Sequence, residues 1–250
     1  MSNYLLRYSY FHNMLKFKKA LYSLSFKNGR RSIMQGVALT FEHIPVLKSI
    51  EKINSFIDIG ANKGQFSLAA RHVFQDASII SFEPLKTPAN KFKKLFKLDK
   101  KANLFQSAIG PKREAVQMHV SYQDDSSSLL NIGENQSSIF PGTKEKSTEE
   151  INVAPLNYFI NNNDLINPVF VKIDVQGYEL EVLKGSKSLI DEFDYIYVEC
   201  SFVELYEGQA LADEVIQYLQ NYSFRLKGIY NIYYDKKGVA VQGDFLFSKD

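Results

Sequence analysis

From Ser55 onward, short runs of consecutive apolar residues alternate with longer stretches of mixed polarity. Phe56-Ile57-Asp58-Ile59 reads as a buried strand closed by Gly60, and residues 63–74 read as the helix after it. Ser78-Ile79-Ile80-Ser81-Phe82 is a second strand, followed by a helix from about Pro88 to Leu98. Leu104 to Ile109 reads as a third strand. Val169 to Ile173 is a fourth, with a helix from about Glu179, and Tyr195 to Glu199 is a fifth, with a helix near Leu211 to Gln220. Two more strand-like runs, around Phe224–Tyr234 and Val239–Phe247, are joined by Asp235-Lys236-Lys237-Gly238, a hairpin signal. Strands that are apolar along their length and separated by helices predict an α/β fold. Its sheet is mostly parallel and covered on both faces, with seven strands and an antiparallel C-terminal hairpin.

Two segments break this rhythm. Residues 1–35 are basic and aromatic, with Tyr4, Tyr8, Tyr10, Phe11 and Phe17 among Arg7, Lys16, Lys18, Lys19, Lys27, Arg30 and Arg31. An amphipathic helix of this kind either lies on an anionic membrane surface or packs on the domain or on a second subunit. Ser121 to Glu150 is polar, and a loop of that length in a compact domain is functional or disordered. The expected organisation is a helical N-terminal extension over residues 1–50 and one domain over 51–250, with 121–150 as a candidate lid. No stretch approaches the roughly 18–20 apolar residues that span a bilayer. The N-terminus also lacks the apolar core and cleavage site of a secretory signal, so a cytoplasmic protein is expected.

Composition narrows the reading a little. Thirty Lys and Arg against 28 Asp and Glu leave a net charge of +2, which does not mark a nucleic-acid binder. The single cysteine, Cys200, excludes an intramolecular disulfide and fits a reducing compartment.

The chemistry concentrates at three strand ends. Asp58-Ile59-Gly60-Ala61-Asn62-Lys63-Gly64 follows a strand and opens a helix, where glycines permit a sharp turn and a close ligand approach. Its spacing differs from the G-x-G-x-x-G dinucleotide fingerprint. A carboxylate there suits an ammonium-bearing ligand better than a pyrophosphate, and S-adenosylmethionine has that polarity. Glu83, in Ser81-Phe82-Glu83-Pro84, ends the second strand, where an acid accepts hydrogen bonds from ribose hydroxyls. Lys172-Ile173-Asp174-Val175-Gln176-Gly177-Tyr178-Glu179 follows the fourth strand, and Glu199 ends the fifth. Carboxylates gathered at one rim position a base or hold a divalent cation. Alternatively, Asp174 caps the following helix and Glu179 starts it.

In order along the chain, these segments resemble the FkbM family of methyltransferases. The resemblance rests on Asp58 to Gly64, Phe82 to Pro84, Lys172 to Glu179, Val182 to Gly185 and Gln242-Gly243-Asp244-Phe245-Leu246-Phe247, with Ser127-Ser128-Leu129 in the middle. It runs from about Ser55 to Phe247. It implies a Rossmann-like class I methyltransferase fold and cofactor contacts from Asp58, Gly60, Ala61, Asn62, Gly64, Glu83, Pro84, Ser107 and Ala108. It also implies O-methylation of a hydroxyl on a sugar, glycan or natural product. Leu156-Asn157 departs from the family's frequent Leu-Asp, which is harmless if that acid shapes a turn and telling if it is catalytic.

On this reading Asp174 is the base or orienting group, with Lys172, Glu179 or Glu199 in support. A divalent cation on Asp174 and Glu199 is an alternative that the sequence does not require. His119 could approach the site, and His72 reads as packing or solvated. Two rival classes remain: a nucleotide-dependent oxidoreductase on a similar fold, and a non-catalytic scaffold that works through residues 1–35.

Overall fold

A computed structural model describes residues 29–249. Most of the basic aromatic segment, and the membrane-surface reading attached to it, lies outside the described residues. Among the described residues no helix is long and apolar enough to cross a membrane.

The main sheet has seven strands: β1 (Ser55–Ile59), β2 (Ser78–Phe82), β3 (Ala102–Phe105), β7 (Val169–Ile173), β8 (Tyr195–Ser201), β9 (Arg225–Tyr234) and β10 (Ala240–Ser248). Their spatial order is β3-β2-β1-β7-β8-β10-β9. All neighbours are parallel except β10, which runs antiparallel to both β8 and β9. Every residue of β1 and β7 is buried, as continuous apolar strands at the centre of a doubly covered sheet must be.

Two apolar layers cover the sheet. On one face Phe56, Ile79, Phe170 and Tyr197 meet helices α2 (Ile44–Lys48), α3 (Gln65–Val73) and α4 (Lys86–Leu95). On the other, Ile57, Ile59, Val171, Ile173 and Val198 meet α6 (Glu179–Gly185) and α7 (Ala212–Gln220). Each fully buried Phe among these contributes roughly 1.5–3 kcal/mol. The short helix α1 (Gly29–Met34) leads into residues 37–50. Val37, Leu39, Ile44, Val46, Leu47 and Ile50 are all buried, so this stretch belongs to the first layer. Helix α4 starts at Lys86, two residues before Pro88, because proline's missing N–H costs nothing in a first turn.

The expected third strand divides. Ser107 donates to the Asn152 and Ala108 carbonyls and turns the chain out of the main sheet. Ala108–Ile109 becomes β4 of a second sheet, ordered β4-β6-β5, with β5 (Glu114–Ser121) and β6 (Glu145–Ala154) antiparallel. The polar stretch from Ser121 to Glu150 is therefore not a plain loop. It contains helix α5 (Glu134–Ile139) and the first half of β6. Residues 145–150 are all exposed, so no apolar periodicity announced the strand.

Candidate active site

The C-terminal ends of β1, β2 and β7 converge on one cavity of about 490 Å³. The turn after β1 is shaped by two glycines. Gly60 has φ +81°, and a Cβ there would stand 1.9 Å from the Asp174 carbonyl oxygen. Any side chain would drive the β1 and β7 turns apart. Gly64, with φ +91°, precedes α3, and a Cβ would press on Phe92 of α4 and on Phe96 just after it. Asn62 between them also has positive φ, which Asn tolerates better than most residues.

Glu83 closes the second side. It is buried, yet it lines the cavity. Oε2 accepts the Asn62 backbone N–H at 2.9 Å and Oε1 accepts that of Leu85 at 2.8 Å. These two bonds tie the β1 turn to the β2 turn and fix the carboxylate at the edge of the cavity.

The strand registers set Ser81, Asp58, Lys172 and Tyr197 side by side across the sheet, facing α3. Asp58 is fully buried beneath the cavity rather than on its wall. Its Oδ2 accepts from Ser67 at 2.6 Å, and its Oδ1 lies 3.6 Å from Lys172 Nζ with no hydrogen-bond partner among the described residues. Burial pushes the Asp58 carboxyl up, against the pull of Lys172 and Ser67. Lys172 also donates to the Gly60 carbonyl at 3.1 Å and reaches Asp174 Oδ2 at 3.3 Å. Burial works against its ammonium, but Asp174 and Asp58 outweigh that and hold its pKa above the ordinary value.

Asp174 faces the cavity, and its Oδ1 accepts from Gln176 Nε2 at 2.8 Å. The same amide nitrogen donates to Glu199 Oε2 at 3.0 Å, and Gln242 Nε2 donates to Glu199 Oε1 at 2.9 Å. Burial, reinforced by Asp174 and Asp244, pushes Glu199 well above the carboxylate range. Glu179 Oε1 accepts the backbone N–H groups of Val175 and Gly177 at 3.1 Å each. Burial raises it to about 7 although those N–H groups oppose the shift. Neither Glu199 nor Glu179 lines the cavity. Both brace the turn that carries Asp174 from outside the cavity.

Of the remaining expected residues, Gly60, Ala61, Asn62, Pro84, Ser107, Ala108 and Lys172 line the cavity and Gly64 does not. Asp125, Ser127 and Leu129 bring the polar middle stretch onto its wall. Ser128 fastens that stretch by donating to the Gln176 carbonyl at 2.5 Å. Asn157 is exposed in a single 3-10 turn away from the cavity, as suits a turn-forming position. His119 pairs with Glu145 at 2.7 Å and, like His72, does not line the cavity. Among the described residues the histidine that does is His43, which lies upstream of every motif read from the sequence. Among the described residues no group of three or more His, Cys, Asp or Glu is placed to hold a metal ion, and Asp174 and Glu199 share the Gln176 amide instead.

A parallel sheet that reverses into an antiparallel hairpin, with its ligand cavity at the carboxyl rim, is the architecture of a Rossmann-like methyltransferase. Residues 58–226 match the family described as the methyltransferase FkbM domain, and the chain belongs to that family. Membership favours methyl transfer over the oxidoreductase reading. The chain is 25% identical over 187 residues to the 2-O-methyltransferase NoeI of Sinorhizobium fredii, covering 72% of this chain and 77% of that protein. Among solved structures it is similar to TrmK of M. capricolum in complex with S-adenosylhomocysteine, at 14% identity and a TM-score of 0.47, over 85% of this chain and 69% of that one. It is also similar to a precorrin-6y C5,15-methyltransferase from Geobacter metallireducens, at 11% identity and a TM-score of 0.45, over 83% of this chain and 86% of that one.

Proposed function

We propose that the chain transfers a methyl group from S-adenosylmethionine to a hydroxyl of a sugar, glycan or natural product. The observation that carries the cofactor half is Glu83, a buried acid whose two oxygens are aimed by backbone N–H groups at the rim of the cavity. It fits a ribose diol, and the cavity volume falls in the ordinary range for ligand sites, roughly 300–1,000 Å³. Gly60, Ala61 and Asn62 offer a turn whose backbone a ligand can approach, and Pro84, Ser107 and Ala108 offer a wall for the adenine. Asp58 and Gly64 act from beneath, by fixing Lys172 and the start of α3.

When bound, S-adenosylmethionine supplies a methyl group already activated on a sulfonium. The protein's main task is therefore alignment, which is worth roughly 7–11 kcal/mol. Asp174 orients the acceptor. Its Oδ2 pairs with Lys172 and its Oδ1 accepts from Gln176, which fixes the carboxylate as a hydrogen-bond acceptor for a hydroxyl. The stretch 121–150, pinned at Ser128, covers the acceptor side as a lid. The oxygen half of the proposal is supported by the name of the 2-O-methyltransferase relative, and a sugar hydroxyl is the acceptor proposed.

Incubation with methyl-tritiated S-adenosylmethionine and a panel of hexose and deoxyhexose methyl glycosides tests this half. Label on a ring hydroxyl is the expected result. Label that reaches amine acceptors and no glycoside would overturn it.

A further inference from the structure

We infer that His43 accepts the proton of the methylated hydroxyl, held for that task by Tyr197 and Asp244. The inference rests on the methyl-transfer reading above. His43 ends a short 3-10 turn, Phe41–His43, just before Pro45 opens α2. Its side chain is only 16% exposed, and it lines the same cavity as Lys172 and Asp174. The ring packs 4.9 Å from Phe66, the ring that Lys172 Nζ approaches at 5.7 Å, so imidazole and ammonium share one aromatic neighbour.

The hydrogen bonds of the imidazole to described residues all run through Nδ1. Tyr197 Oη and Asn231 Nδ2 are each 3.1 Å away, and Asp244 Oδ2 is 3.5 Å away. Asn231 Nδ2 donates to Asp244 Oδ2 at 2.8 Å and to Tyr197 Oη at 3.4 Å. With the ring proton on Nδ1, facing the Tyr197 oxygen and the Asp244 carboxylate, Nε2 keeps its lone pair for a ligand in the cavity. Asn231 has φ +49° at an irregularity in the β9–β10 pairing, and such bulges re-aim a side chain.

The other carboxylates are less suited to the task. Asp174 is paired with Lys172 and Gln176, and Glu179 and Glu199 lie off the cavity. Burial lowers the His43 pKa and outweighs the opposing influence of Asp244, Glu42 and Asp174; Lys172 adds to the lowering. The imidazole is therefore neutral and ready to accept at neutral pH. In the transfer, the acceptor oxygen bonds the methyl carbon as the carbon–sulfur bond breaks, and that bond pair stays on sulfur. The hydroxyl proton moves to Nε2, and Asp244, 3.5 Å from Nδ1, offsets the imidazolium charge.

The test is nitrogen NMR on full-length protein carrying ¹⁵N-histidine, saturated with S-adenosylhomocysteine, with His43 assigned by His43→Gln. A neutral ring protonated at Nδ1 is expected, and Asp244→Asn should lower its pKa. A neutral ring protonated at Nε2 would overturn the assignment, as would an unmoved pKa in Asp244→Asn. On any glycoside that the wild type methylates, His43→Gln should lower kcat roughly 10²–10⁴-fold with the KM for S-adenosylmethionine unchanged. An unchanged kcat overturns the base role. Failure of the wild type to bind S-adenosylhomocysteine would defeat the cofactor reading instead, and the ring's tautomer can be read without ligand.

Discussion

Replacing Lys172 by Met keeps most of the side chain's length and deletes its charge, which isolates the buried Lys172–Asp58 pair. Asp58 is fully buried, Lys172 nearly so, and their charged atoms are 3.6 Å apart. At an effective dielectric of about 20, two unit charges at that distance attract by about 4.6 kcal/mol. Without Lys172, Asp58 keeps only the Ser67 hydroxyl. Breaking a buried pair from one side typically costs 3–5 kcal/mol, a large share of the 5–15 kcal/mol that holds a domain folded. Asp174 adds little to this loss because its side chain is 37% exposed and water takes over there. The loss depends on pH. Burial already raises Asp58, and removing the cation raises it further. A carboxyl raised in the folded state contributes stability that is present below its unfolded value near 3.8 and lost as pH rises through the folded value. Urea titration should therefore show a small deficit near pH 4.5 and the full deficit by about pH 8. The double variant Asp58→Asn/Lys172→Met should recover most of it. A deficit below about 1 kcal/mol at pH 8, or one equal at both pH values, refutes the reasoning.

Three further outcomes follow from the same geometry. Glu179, raised to about 7 by burial, binds a proton in the folded chain that the unfolded chain has released. Its contribution is complete below about 4.5 and disappears as pH rises through about 7. Glu179→Gln keeps an oxygen for Val175 and Gly177, so it should flatten the pH dependence of urea stability over that window by on the order of 3 kcal/mol. Gly60→Ala sets a Cβ against the Asp174 carbonyl at a positive φ, and should cost at least about 2–3 kcal/mol in urea stability and abolish S-adenosylhomocysteine binding. Bound S-adenosylhomocysteine with a glycoside acceptor should slow proteolytic cutting within 121–150, and equal cutting with and without ligand refutes the lid.

Apolar runs and glycine spacing carried the main sheet. Phe56–Ile59 and Val169–Ile173 are continuous and buried on both faces, so their strands were legible, as was the hairpin at Asp235–Gly238. The second sheet was not, because Glu145–Glu150 has no buried position and Ser107 redirects the chain by hydrogen bonds rather than by pattern. At the site, motif residues placed Glu83 and Asp174 on the cavity wall. Spacing could not show that Asp58 lies beneath the floor, or that Glu179 and Glu199 spend their oxygens on the backbone and on glutamines. His43 was invisible for a different reason. It reaches the cavity from a segment upstream of the family match, and its partners Tyr197, Asn231 and Asp244 lie more than 150 residues away in sequence.

The central claim is that this cavity binds S-adenosylmethionine through Glu83. Calorimetric titration of the purified full chain with S-adenosylhomocysteine tests it most directly, repeated on Glu83→Ala with circular dichroism to confirm that the variant is folded. One-to-one binding to the wild type, lost in folded Glu83→Ala, is the predicted result. Folded wild-type protein that takes up no S-adenosylhomocysteine would contradict it.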